Sequence, residues 1–231
     1  IGAANTLIVD EKGGIRCANT DAPAAVEALC EGMGISRQEL KGKRIAICCT
    51  NGVEEVEIIG SIRWLAERGA IVHIVSPRIG EFPPSLGLRF PEISKTHVLS
   101  VRLMENAGWL KIDRYMDEAK VADYDAMILP GGSWNPDFLR ADKDAQNFTR
   151  DMHGAGKPTC GICHGPWVMV SAKMLKGKKA TAVWNIQIDL ENAGATVIDE
   201  PCVVDGNLIT ARFPYDLPRM IDALVKQLVA T

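Results

Sequence analysis

From Lys43 onward, short apolar runs alternate with amphipathic ones, and glycine or proline closes most of them. This alternation constrains the fold because strands separated by helices assemble into a mainly parallel sheet covered on both faces. Arg44-Ile45-Ala46-Ile47-Cys48-Cys49 reads as a buried strand, followed by a Thr50-Asn51-Gly52 turn. Val53 to Arg68 has helical spacing and stops at Gly69, with Val56, Ile59, Leu65 and either Ile58 or Ile62 on the inward side. Ile71 to Ser76 is the next strand, closed by Pro77, and Ala126 to Pro130 is another that runs into Gly131-Gly132. Asp142 to Ala155 predicts a helix, and Lys157-Pro158-Thr159-Cys160 a short buried strand. Asn185 to Ala193 is a helix ending at Gly194, Val203 to Thr210 a hairpin turning at Asp205-Gly206-Asn207, and Pro218 to Val229 a closing amphipathic helix. The predicted class is α/β, in three layers.

In open sheets of this kind, ligands bind beyond the C-terminal ends of the strands. Three motifs fall there: the turn after Cys49, the Gly131-Gly132 pair, and Gly161-Ile162-Cys163-His164-Gly165-Pro166. The last precedes the helix-like Trp167-Val168-Met169-Val170, so Cys163 sits on a tight strand-to-helix turn, a cysteine counterpart of the nucleophile elbow. The positive end of the helix dipole favours a thiolate over a thiol at this point. His164 follows directly and either acts as a base or braces the loop. Glu54, Glu55 and Glu57 open the first long helix, where acids suit the dipole. Glu57, close to the buried side, is the candidate proton carrier with a raised pKa, and Glu54 is the fallback. Gly131, Gly132 and Gly165 are candidate backbone donors to an oxyanion. Asp137 is a candidate to orient a histidine. Cys160 and Cys163 have CxxC spacing, but Cys160 lies in a predicted strand and not at a helix start, which argues against redox cycling. With no second ligand pair at metal spacing, neither a metal nor a cofactor is expected.

The chain has 231 residues, 47% hydrophobic and 24% charged, enough for one sizeable core of a soluble protein. A net charge of −3 argues against a broad nucleic-acid-binding face. No apolar run approaches the roughly 20 residues that span a bilayer, and the start lacks the pattern of a signal peptide. Seven irregularly spaced cysteines read as reduced thiols in a cytoplasmic protein. Residues 77–122 form a long connection: Gly80 to Pro91 reads as a loop, and His97 to Tyr115 as a hairpin turning at Glu105-Asn106-Ala107-Gly108. Such insertions serve as lids or subunit contacts.

Several motifs in order resemble the ThiJ/PfpI family of the class I glutamine-amidotransferase-like superfamily. They are Gly52-Val53-Glu54-Glu55-Val56-Glu57, Tyr124 to Gly132, Gly161 to Pro166, Asp189 to Ala195 and Val203 to Thr210. The resemblance covers residues 43–231. It implies a flavodoxin-like sandwich, usually a dimer or higher homo-oligomer, with Cys163 as nucleophile and Glu57 as its acidic partner. In PfpI-type proteases His164 would complete the site with an acid from a neighbouring subunit, and Asp137 lies one residue beyond the place where that acid is expected. Other branches are glyoxalases, protein deglycases or holding chaperones. The expectation is a cysteine-dependent enzyme acting on a small aldehyde or a peptide, as a hydrolase or as a glyoxalase or deglycase. A histidine directly after the cysteine slightly favours the hydrolase branch. The alternative is a non-enzymatic sensor or chaperone whose Cys163 oxidises to a sulfinate. Residues 1–42 fall outside the ThiJ/PfpI resemblance: Gly2 to Val9 and Cys17 to Asp21 instead resemble a segment of shikimate dehydrogenase, in which Asn5 and Asp21 would contact shikimate. However, Cys49-Thr50-Asn51-Gly52 carries a single glycine where a dinucleotide loop needs several, so no dehydrogenase activity is expected. The segment reads as a fused remnant or as chance similarity.

Overall fold

The computed structural model describes residues 38–78 and 94–230, together with two short strands nearer the N-terminus. The chain divides into Ile1–Glu39 and Leu40–Thr231. In the first unit, β1 (Thr6–Val9) pairs antiparallel with β2 (Ile15–Ala18), with Thr6 opposite Ala18. Asn5 and Asp21 lie outside the described residues, as does the expected Gly80–Pro91 loop.

The second unit is built on a seven-stranded sheet. Its strands are β3 (Arg44–Cys48), β5 (Ile71–Ser76), β8 (Arg114–Tyr115), β9 (Ala126–Leu129), β10 (Thr159–Ile162), β13 (Cys202–Asp205) and β14 (Leu208–Ala211). They lie in the order β13-β14-β10-β9-β3-β5-β8. Every neighbouring pair is parallel except the β13–β14 hairpin. Side chains alternate faces along a strand, and β3 shows what this does to the core. Ile45 and Ile47 pack with Ile58, Leu65, Met220 and Leu224 on one face. Ala46 and Cys48 pack with Phe148, Met152, Val168 and Leu190 on the other. The first layer is α1 (Glu55–Ala66) with α6 (Leu217–Val229). The second layer contains α3 (Lys143–Gly154), α4 (Pro166–Ser171) and α5 (Gln187–Asn192). A short helix, α2 (Asn135–Leu139), follows β9, and β11 (Lys179–Ala180) pairs with β12 (Thr196–Val197) beside the main sheet. Fully burying each of these large aliphatic side chains stabilises the fold by roughly 1.5–3 kcal/mol. Among the described residues, no helix is long and apolar enough to cross a membrane.

Two expectations fail instructively. In α1 the inward face is Glu57, Ile58, Ser61 and Leu65, whereas Val56 and Ile59 are 48% and 41% exposed. Val53 and Glu54 form a short strand, β4, which delays the helix to Glu55 and fixes its rotation. Two polar residues then interrupt the buried stripe, so hydrophobic spacing alone selects the wrong side.

The hairpin of β6 (His97–Arg102) and β7 (Glu105–Lys111) turns at Leu103-Met104, not at Glu105–Gly108, and Gly108 lies opposite Ser100 inside the ladder. Leu103 has φ 59°, the left-handed region that a β-turn of this kind would normally give to glycine or asparagine. Tertiary bonds hold it there: the Glu54 carboxylate accepts from its N–H (3.0 Å), and the Ser133 hydroxyl donates to its carbonyl (2.5 Å). With β4 pairing on β6, the insertion becomes a three-stranded sheet tied to the loop that carries Gly131-Gly132.

Candidate active site

β10 is fully buried and ends at Ile162, directly before Cys163, whose backbone adopts φ 59°. A side chain in this region is strained by roughly 1–2 kcal/mol and persists only where its surroundings hold it. Its N–H donates to the Ala211 carbonyl (3.0 Å) and its carbonyl accepts from Val183 N–H (3.1 Å). Gly165 N–H closes the turn on the Ile162 carbonyl at 2.8 Å. A Cβ at Gly165 would lie 2.0 Å from the Leu129 carbonyl oxygen, so only glycine lets α4 start this close to β9. The elbow therefore exists as the sequence predicts, and it presents a half-buried thiol.

Glu57 is completely buried on the first turn of α1. Its Oε2 accepts from Gly131 N–H at 2.5 Å, while Oε1 is buried with no hydrogen-bond partner. The Cys163 thiol is the neighbouring proton carrier, and each group shifts the other's titration. Burial pushes the Glu57 carboxyl up to about 8, against the opposing pull of the Gly131 hydrogen bond. Burial likewise raises the Cys163 thiol, and an ionised Glu57 raises it further. This corrects the expectation that the helix dipole dominates: α4 has only six residues, and desolvation outweighs it. Two N–H groups oppose that rise by pointing at the sulfur, those of His164 and Gly132.

The backbone donors therefore differ from those expected. Gly132 faces the sulfur as anticipated, but Gly131 N–H is occupied by Glu57 and Gly165 N–H by Ile162. His164 N–H, which the sequence reading passed over, takes the second place. Gly132 has φ 114°, and a Cβ there would lie 2.1 Å from the Gly52 carbonyl oxygen. Asn135, also not anticipated, anchors this loop. It is fully buried, accepts from Thr50 N–H at 2.7 Å and donates to the carbonyls of Pro130 (2.8 Å) and Gly131 (3.1 Å). A lone asparagine directly after Gly132-Ser133-Trp134 carries no periodic signal, and its value lies in joining two strand ends distant in sequence.

His164 places Nδ1 3.3 Å from Cys163 Sγ, and its Nε2 lies 3.2 Å from Asn185 Nδ2. Its ring leans on Trp167, whose Nε1 donates to Asp189 at 2.7 Å and whose face carries the Arg140 guanidinium. Partial burial lowers the His164 pKa, so the ring is neutral at pH 7. Asp137 is exposed on α2 and does not orient this ring within the chain, since both ring nitrogens face other partners. Glu54, the fallback acid, is spent on the Leu103 turn, and its charge only adds to the rise at Glu57. Cys160 is fully buried with its thiol raised well above the usual range by burial. Among the described residues, no group of three His, Cys, Asp or Glu side chains could hold a metal ion.

A family model described as the DJ-1/PfpI family matches residues 43–227. The chain belongs to this family. It is 49% identical over 177 residues, 76% of this chain and 92% of the relative, to "Protein/nucleic acid deglycase 2" of Escherichia coli. It is 34% identical over 185 residues, 80% of this chain and 99% of the relative, to "Deglycase TK1284" of Thermococcus kodakarensis. Among solved structures, a two-domain protein from Anabaena variabilis with DJ-1/ThiJ/PfpI-like and ferritin-like domains matches with TM-score 0.70 and 32% identity. That match covers 80% of this chain, which spans 48% of the two-domain protein. The mainly parallel sheet is thus the flavodoxin-like sandwich of this family.

Proposed function

We propose that the protein is a cysteine-dependent deglycase, which removes adducts of 2-oxoaldehydes such as methylglyoxal from amines, guanidines or thiols. One observation carries this reading: Cys163 shares its surroundings with a buried, proton-bearing carboxyl, Glu57, while two N–H groups converge on the sulfur. The S–H proton passes to His164, the sulfur attacks the carbinol carbon of the adduct, the bond from that carbon to the modified nitrogen or sulfur breaks, and the leaving group takes that proton from His164. The resulting hemithioacetal carries a ketone next to its carbinol. Moving a proton from the carbinol carbon through Glu57 to the neighbouring carbon oxidises one centre and reduces the other. The product is a thioester of a 2-hydroxy acid, and no external oxidant is needed. Water then releases the acid and restores the thiol. Gly132 and His164 N–H are suited to hold the oxyanion.

The names of the two curated relatives support deglycation over peptide hydrolysis. The test sets three substrates side by side: a methylglyoxal-treated N-acetyl-lysine or N-acetyl-cysteine, free methylglyoxal, and a fluorogenic peptide. Deglycation with release of a 2-hydroxy acid is expected. Peptide cleavage without deglycation would overturn the reading.

A further inference from the structure

Asn185 stands on the side of His164 away from the sulfur. It belongs to a 3₁₀ turn, Trp184–Ile186, which is fastened to the elbow by Val183 N–H donating to the Cys163 carbonyl and is anchored in the core by Ile186. The side chain itself is exposed, so its contact with the ring is not a by-product of core packing.

A neutral imidazole carries one ring proton, and the partner of one nitrogen decides what the other nitrogen can do. Here the two nitrogens have one partner each: Cys163 Sγ at Nδ1 (3.3 Å) and the Asn185 amide at Nε2 (3.2 Å). With Nδ2 forward, the amide donates to a bare Nε2. The ring proton then sits on Nδ1 and is donated to a thiolate. With the amide turned over, Oδ1 accepts from Nε2–H, and the bare Nδ1 accepts the proton of the thiol. An amide is the side chain that serves both states, since it carries a donor and an acceptor of equal reach. A carboxylate would serve only the second.

We propose that Asn185 is a positioning residue that holds the His164 ring on Cys163 in both tautomers and so lets one imidazole first accept the thiol proton and then support the thiolate. The proposal rests on the reading of Cys163 as nucleophile. In the accepting step the S–H bond breaks and an Nδ1–H bond forms, while Oδ1 keeps the Nε2 proton. The imidazolium then returns its Nδ1 proton to the leaving group. The other titratable groups around this ring are Cys163 on the elbow and Glu57 behind it on α1. Across Trp167 lie Asp189 on α5 and Arg140 at the end of α2.

The experiment compares Asn185→Ala and Asn185→Asp with the wild-type chain by three readouts: ¹⁵N NMR of the His164 ring, the pH dependence of Cys163 alkylation by iodoacetamide, and kcat and KM on a glycated amine. In Asn185→Ala the ring should lose its fixed orientation on the sulfur, so that its ¹⁵N shifts move toward those of a solvent-averaged imidazole, and kcat should fall about tenfold with KM within about twofold, the scale of one lost hydrogen bond. In Asn185→Asp the His164-linked limb of the alkylation profile should move up by about one pH unit, because a carboxylate stabilises the imidazolium. Wild-type ring shifts and alkylation profiles in both variants would overturn the proposal. Two of the readouts need no substrate. A wild-type chain that turns over no glycated amine would therefore reject the deglycase reading alone, and unmoved ring shifts would reject the role of Asn185 alone.

Discussion

Replacing Glu57 with glutamine keeps the length of the side chain and an oxygen to accept from Gly131 N–H, but removes the ionisable proton. The carboxyl is fully buried and its pKa is pushed from 4.5 to about 8, chiefly by desolvation. Between those values an unfolded chain has already released the proton that the folded chain retains. Wild-type stability therefore falls as pH rises through this window and levels off above the folded pKa. At about 1.36 kcal/mol per unit, the loss attributable to Glu57 is about 4–5 kcal/mol, and Glu57→Gln does not suffer it. Urea denaturation of both proteins at pH 5 and pH 8.5 reads this as a double difference, in which the titrations of groups not coupled to Glu57 cancel. The glutamine variant should gain about 3.5–4 kcal/mol on the wild type between the two pH values, most of the full loss, while its turnover falls about 100-fold for want of a proton carrier. A double difference near zero would refute the reasoning, because Glu57 would then titrate like a solvated carboxyl.

Two further outcomes follow from burial and bonding. Asn135→Ala removes a buried amide that serves one N–H and two carbonyls. It should destabilise the fold by about 2–4 kcal/mol and lower activity by loosening Gly131, which thermal unfolding and kcat would report; an unchanged Tm would count against the anchor. Under mild peroxide, Cys163 should oxidise well before Cys48, Cys49 and Cys160, which have no exposed surface, since oxidation needs access as well as ionisation. Peptide mass spectrometry would show this, and equal oxidation at Cys160 would contradict the accessibility argument.

The elbow was legible because it is local: strand, cysteine between glycines and helix follow one another in ten residues. The sheet was legible because alternating apolar runs and glycine stops encode βα units one at a time. The inward face of α1 was not, because Glu57 and Ser61 occupy positions that hydrophobic spacing would give to Val56 and Ile59. A functional carboxyl in a core breaks the pattern that would reveal it. The turn at Leu103 was hidden for a related reason: Glu54 and Ser133, distant in sequence, impose a backbone conformation that local preference disfavours. Gly131 and Gly132 were correctly placed near the sulfur, but which N–H reaches it depends on Glu57 claiming the first. Asn135 and Asn185 each bond to a residue distant in sequence, Thr50 and His164, which no spacing rule anticipates.

The most direct test asks whether Cys163 forms the covalent bond on which the chemistry depends. Wild-type protein and Cys163→Ala are mixed with a methylglyoxal-modified amine, quenched in acid within one turnover and analysed by peptide mass spectrometry, with release of the 2-hydroxy acid followed in parallel. The wild type should carry the three-carbon adduct on the peptide containing Cys163 and release the acid, and the alanine variant should do neither. Undiminished acid release by Cys163→Ala would contradict the account at its centre.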